Sequence, residues 1–234
     1  MTVTVRPSDA RGHANHGWLD SKHSFSFANY FDPQHMGYRA LRVINEDVIE
    51  PGTGFGTHGH HDMEIITYII RGTLEHKDST GEHSLIRRGE VQRMSAGSGI
   101  RHSEYNASDS EDVKLLQIWL LPERADITPG YEQTLFADEA KRNRLCLLAA
   151  PGGRDGALTI HQDVALYASI LDAGASVSLD LAPGRGAWVQ VVDGGVTVNG
   201  RDLEAGDAIA IDGETLVSVV ARTADAEVLV FDLA

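Results

Sequence analysis

A single cysteine in 234 residues, Cys146, cannot form an internal disulfide, so nothing in the covalent chemistry points to an oxidising compartment. It sits in the apolar run Leu145-Cys146-Leu147-Leu148, a setting that suits a buried filler better than a reactive thiol. No apolar run approaches the roughly 20 residues that a membrane-spanning helix needs. Positive charge is scarce too: 20 Lys and Arg face 34 Asp and Glu, a formal net charge of −14. Such a chain repels phosphate backbones and anionic lipid surfaces, which excludes direct nucleic-acid binding and a membrane partner from the expectations while permitting a protein partner. The start, Met1-Thr2-Val3-Thr4-Val5-Arg6-Pro7-Ser8, carries no basic segment followed by an apolar stretch, so the expected location is cytoplasmic.

Glycine, by contrast, is plentiful at 24 residues. Short β-branched runs separated by Gly, Asp and Asn predict a mainly β protein, a sandwich or barrel with few short helices. Strands are expected within residues 41–44, 64–70, 72–76, 114–120, 187–192, 196–198, 208–211, 215–220 and 228–231. One helix is expected over residues 137–144, and residues 122–151 otherwise read as a linker rich in Pro, Gly and charge.

An internal repeat organises the chain. Pro51-Gly52-Thr53-Gly54 recurs as Pro183-Gly184-Arg185-Gly186, Tyr68 to Gly72 resembles Gln190 to Gly194, and Arg88-Gly89-Glu90 resembles Ala205-Gly206-Asp207. The conserved order implies two related domains, 1–130 and 131–234. On this alignment 14 positions separate Gly54 from Tyr68 but only 4 separate Gly186 from Gln190, and the difference contains His58, His60, His61 and Glu64. Ten of the 11 histidines lie at or before His102. Chemistry is therefore expected in the first half, with a second domain lacking metal ligands.

Side chains alternate faces along a strand, so His58 and His60 point the same way. His102 and Glu104 form a second alternating pair. If the two strands are neighbours facing into a barrel, three imidazoles and one carboxylate converge on a divalent ion. Two such pairs among the glycine turns at residues 52–59 and 97–99 favour a ligand set over scattered surface histidines. Without cysteine ligands, structural zinc and iron–sulfur chemistry drop out. Mixed His and carboxylate donors with open positions suit one Fe(II) ion, with Mn, Co, Ni or Cu also compatible. Glu64 shares strand parity with His58 and His60 and is expected to orient a ligand or accept a substrate proton. Upstream, His13, His16, Trp18, His23, Phe25, Phe27 and Tyr30 form either core with satisfied histidines or the wall of an aromatic pocket.

Gly52, His58, His60 and Glu64, followed by Gly89 and Gly97 ahead of His102, resemble the two-part signature of the cupin barrels. The stretch from Arg11 through His13, His16, Trp18 and His23 to Phe27, together with Ser95-Ala96-Gly97-Ser98-Gly99-Ile100-Arg101-His102-Ser103-Glu104, narrows the resemblance to the pirin family, over nearly the whole chain. It is most similar to bacterial pirin-like proteins with quercetin 2,3-dioxygenase activity. The resemblance implies a bicupin, two stacked jelly-roll barrels, with the metal held at His58, His60, His102 and Glu104. Two departures from the general cupin pattern stand out: Ser95 replaces the usual Pro, and the acidic ligand is Glu104 instead of Glu64. The second matches pirins.

The implied activity is oxygenative opening of the central ring of a flavonol such as quercetin, consuming O₂ and releasing carbon monoxide, with Glu104 and Glu64 as the catalytic carboxylates and Phe25, Phe27 and Phe55 as the first pocket candidates. The rival reading is a metal-binding, redox-sensing interaction module without catalysis, as for the transcription-cofactor pirins; a metal-dependent isomerase is a third. The ligand assignment predicts that His60→Ala and Glu104→Ala lose metal without unfolding. Full metal occupancy in both variants, read by elemental analysis, would overturn it.

Overall fold

The computed structural model describes Thr2–Ala234, and within these residues twenty-two strands accompany one α-helix, Asp138–Lys141, and two 3₁₀ segments. Two compact units form. One comprises Gly12–Leu135 with Leu158–Gln162; the other comprises the N-terminal segment through Arg11, Phe136–Ala157 and Asp163–Ala234. These ranges differ from a single cut after residue 130, because Thr2–Arg6 pairs antiparallel with Ala208–Asp212.

The first unit is a barrel of two sheets. The larger runs in the order Gly130–Leu135, Glu90–Ser95, Glu64–Arg71, Val113–Leu120, Leu41–Ile49, Leu19–His23, Gly12–Asn15; the smaller runs Gly54–His60, Ile100–Asn106, Thr73–Asp78, His83–Arg87. Burial follows the pleat where one face meets the interior: along Ile100–Asn106 the buried residues are Ile100, His102, Glu104 and Asn106, the period of two that a half-buried strand requires. Glu64–Arg71 is buried on both faces over its first six residues, which explains its continuous apolar run. Leu19, Ile49, Ile69, Leu74, Ile86, Val113 and Leu115 pack together as one core of this barrel.

The second unit repeats the topology. Its smaller sheet runs Ser176–Asp180, Leu216–Ala221, Gly195–Val198, Arg201–Glu204, and its larger sheet has Gly186–Asp193 between Ala208–Asp212 and Ala226–Leu233. Strand for strand, Gly186–Asp193 answers Glu64–Arg71, so the counterpart of Gly54–His60 is Ser176–Asp180, which precedes Pro183. The Pro-Gly alignment drawn from sequence is thus one strand out of step. The second half keeps the strand and lacks its histidines.

Two other expectations change. The helix stops at Lys141 because Arg142 is extended and Asn143 takes a φ of 54°, while their side chains bond Asp172 and Asp225. Within the expected linker, Gly130–Leu135 forms an edge strand on Glu90–Ser95; its residues are half-buried from Gly130 to Thr134 and give no alternation to detect. Cys146 is half-buried on Cys146–Ala150. Among the described residues no helix is long and apolar enough to cross a membrane.

Gly54 opens the strand that carries His58 and His60, and a Cβ there would run into the backbone of Glu104 and Tyr105. Close approach of these two strands therefore requires glycine. Gly54→Ala should lose about 1–3 kcal/mol in chemical denaturation and weaken metal uptake; unchanged values would show that the strand spacing does not rest on this contact.

Candidate metal centre

Antiparallel pairing of Gly54–His60 with Ile100–Asn106 sets His102 directly opposite His58, and the register then shifts between His102 and Glu104. That shift is a β-bulge, a local bend that re-aims side chains. His60 follows two residues after His58 on the same face. The result is a triangle in which ligand-competent atoms of His58, His60 and His102 lie within 4.8 Å of one another, with ring centroids 4.4–4.9 Å apart. Glu104 forms a second such triangle with His102 and with His76, which the pairing with Thr73–Asp78 sets opposite Glu104. The four expected ligands are thus brought together around His102, and His76 joins them.

The donors fit a cation. Burial, reinforced by repulsion from its histidine neighbours, pulls His102 down to about 2 and His60 to about 4, so both rings are neutral, as ligation demands. His58 donates Nδ1–H to the carbonyl of Gly56 at 2.8 Å, which leaves Nε2 with the lone pair. His102 is buried, and neither of its ring nitrogens has a hydrogen-bond partner among the described residues, an arrangement that is costly unless something else binds there. Glu104 is fully buried too, and burial, aided by repulsion from Asp47, raises it to about 7. Three imidazole nitrogens and one buried carboxylate make a set that a divalent ion would satisfy.

A polar row beneath the site holds Glu104. His23, Asn45, Gln117, Thr67 and Gln92 stand on one rung of the larger sheet, each the register partner of the next. Gln92 donates to Glu104 Oε1 at 3.0 Å and Gln117 to Oε2 at 2.8 Å. Thr67 ties the two amides together, accepting from Gln92 at 2.7 Å and donating to Gln117 at 2.9 Å. Both carboxylate oxygens are therefore fixed before anything binds.

Glu64 is placed differently from its sequence expectation. Residues 61–63 turn the chain, with Asp62 at a φ of 47°, so Glu64 starts a strand of the other sheet and parity with His60 is lost. Its carboxylate accepts the backbone N–H of His161 at 3.2 Å and lies 3.3 Å from that ring; it does not line the cavity over the metal cluster. Reasoning from sequence missed His76, although His76-Lys77-Asp78 alternates as His58-Gly59-His60 does. His76 Nε2 lies 3.2 Å from Asp78 Oδ2.

The cluster forms the floor of a cavity of about 760 Å³ lined also by His13, His16, Trp18, Phe27, Tyr30, Phe55 and Trp119. Trp119 packs edge-on against both His60 and Phe27, and Trp18 against Phe55. The upstream aromatic stretch is thus largely pocket wall, except for Phe25, which is buried away from the cavity. On the same wall Ser21 donates to Asp47 Oδ1 at 2.5 Å. Burial, with repulsion from Glu46, raises Asp47 to about 7 against the opposing hydrogen bond of Ser21.

A duplicated jelly roll with a His₃–carboxylate cluster at the base of one barrel defines a bicupin protein, and the cluster supports a divalent metal. The Pirin family matches residues 4–120 and the quercetinase C-terminal cupin domain residues 147–233; the chain belongs to the pirin family. A quercetin 2,3-dioxygenase of Escherichia coli (strain K12) is 52% identical over 231 residues, spanning 99% of this chain and 98% of that protein. A pirin-like protein of Caulobacter vibrioides is 40% identical over 233 residues, spanning 99% and 100%. The crystal structure of the bacterial pirin YhhW from Escherichia coli in complex with nickel(II) is 51% identical, covers 99% of both chains and has a TM-score of 0.94.

Asp47 makes the stability of the metal-free protein depend on pH. Its folded value lies above the usual carboxylate range, so the stability it contributes is present at acid pH and lost as pH rises through about 7. Glu46, Ser21, His23 and Glu104 are its polar surroundings and are common to both proteins compared. Relative to wild type, Asp47→Asn should therefore gain about 2–3 kcal/mol between pH 5 and pH 8, measured by urea denaturation; a pH-independent difference would contradict the shift.

Proposed function

We propose that this pirin is a metal-dependent quercetin 2,3-dioxygenase that opens the central ring of a flavonol with O₂ and releases carbon monoxide. The observation that carries the reading is the position of the open histidine cluster at the floor of an aromatic-walled cavity large enough for a planar polyphenol. Relatives that bear the name quercetin 2,3-dioxygenase along the full length of the chain support the same choice. His58, His60, His102 and Glu104 are the proposed ligands, and Fe(II) is the proposed native metal.

The bound cation would supply Lewis acidity toward a substrate oxygen and the electronic partner that O₂ needs. The protein supplies the rest. Neutral His60 and His102 add no positive charge of their own, and Glu104, clamped by Gln92 and Gln117, leaves the site with a net charge near +1 that favours a phenolate over a phenol. Trp18, Phe27, Tyr30, Phe55 and Trp119 offer ring faces and edges to a flat ligand and keep water from the reacting carbons. Glu64, facing His161, is left with the placement of that segment and not with the substrate's proton.

The test is O₂ uptake on adding quercetin to protein reconstituted separately with Fe, Mn, Co, Ni and Cu, with His58→Ala alongside. Turnover that requires metal and disappears in the variant is the expected result. Tight metal binding in wild type with no O₂ uptake on quercetin would overturn the dioxygenase assignment and favour the redox-sensing module.

A further inference from the structure

The polar row under the cavity is divided in its use. Gln92, Thr67 and Gln117 are consumed in clamping Glu104. Its other end opens on the cavity, where His23 and Asn45 share a rung and Ser21 and Asp47 share another two residues along, on the same face of the same pair of strands. All four line the cavity, yet each is only 3% exposed. Ser21 gives its proton to Asp47, so its oxygen is the acceptor for Nε2–H of His23 at 2.8 Å, and the chain runs from His23 through Ser21 to Asp47. Asn45 Oδ1 has no hydrogen-bond partner among the described residues. A carboxyl group buried against a hydroxyl in the wall of this cavity costs stability that an apolar pair would not, and groups so arranged in a cleft are candidates for a binding function.

We propose that Ser21, His23, Asn45 and Asp47 form a hydroxyl-reading subsite that accepts a hydrogen bond from a phenolic O–H of an aromatic substrate and sets its orientation over the histidine cluster. This rests on the flavonol reading of the same cavity and adds to it the residues that select a hydroxylated ring. Asp47 is the principal acceptor, oriented by Ser21. Asn45 Oδ1 is a second acceptor two residues away on the same face of the strand. An aromatic ligand without the matching hydroxyl would leave Asn45 Oδ1 unpaired and give Asp47 nothing beyond the hydrogen bond from Ser21, which is how a site discriminates against an analogue lacking one polar group.

The subsite is separable from the metal centre by experiment. Quercetin, luteolin, which lacks the 3-hydroxyl, and galangin, which lacks the hydroxyls of the pendant ring, are titrated into nickel-loaded protein, and quenching of the cavity residues Trp18 and Trp119 reports binding. In wild type, at least one of the two analogues should bind about tenfold more weakly than quercetin. In Asp47→Asn and in Ser21→Ala that particular ratio should shrink toward one, quercetin affinity should fall about tenfold, and nickel content should remain as in wild type. The isosteric Asp47→Asn change and the small Ser21→Ala change test the same pair from both sides, so failure of either to fold leaves the other to decide. Variants with wild-type hydroxyl dependence would overturn the subsite while leaving the flavonol reading intact. Loss of nickel with loss of quercetin affinity would assign the residues to the metal centre and overturn it equally. A wild type that binds none of the three compounds would overturn the flavonol reading and, with it, the subsite defined upon it.

Discussion

The antiparallel register that sets His102 opposite His58 is the constraint on which the site depends. Neighbouring strands lie about 4.8 Å apart, near enough for side chains from both to converge on one ion with bonds of about 2.0–2.2 Å, so a rung carrying a histidine on each strand is already half a metal site. His60 adds a third nitrogen from the same face, and the bulge after His102 brings in Glu104. Everything that protects this register, from the absent Cβ of Gly54 to the amide clamp of Gln92 and Gln117, protects the chemistry with it. The geometry is built into the sheets instead of being imposed by loops, which gives the precision that ligation needs.

Charge explains the remainder of the site. Asp47 and Glu104 are both buried, both raised to about 7, and each is affected by another carboxylate. Neither is relieved by an ion pair of the kind that holds the half-buried Arg142 or Arg185. Glu104 is a candidate for relief by a cation bound at the histidine triangle, and Asp47 by a hydroxyl from the cavity side. On the proposed reading, binding would recover the cost of burying these groups, which is the usual relation between a destabilised site and its ligands.

Much of the centre is legible in the sequence, because alternation converts directly into facing. His58 with His60, and His102 with Glu104, needed only the period of two. Glu64 shows where that inference ends: parity carries along one strand, but the turn at residues 61–63 moves the chain to another sheet and resets it. Asp47 and Asn45 were passed over because they sit in the polar triplet Asn45-Glu46-Asp47, and Gln117 because it is a lone polar residue between apolar neighbours. Their meaning lies in cross-strand register, and a single sequence does not display it. The repeat was visible through its turn residues, yet Pro-Gly turns recur at several corners of a barrel, so matching one of them misaligned the halves by a strand while the longer Tyr68 to Gly72 match aligned them correctly.

Aligned by topology, the two units show how one barrel is used in two ways. Where His58 faces His102 in the first unit, Val177 pairs with Val219 and Leu179 with Val217 in the second. Val217 and Val219 are buried in a core with Val196, Val198 and Leu203, and Val177 and Leu179 pack against it. The strands that present histidines and a carboxylate in one unit thus present branched aliphatic side chains, packed into a core, in the other. Close packing stabilises a barrel, whereas an interior of buried imidazoles and carboxylates does not. A duplicated fold separates these demands: one copy carries an interior that is costly when empty, and the other keeps the interior that a barrel of this topology uses for stability. Metal ligands introduced at Val177, Leu179, Val217 and Val219 would therefore have to displace core before they could bind anything, so packing, as much as the absence of histidine, argues against a second metal centre there.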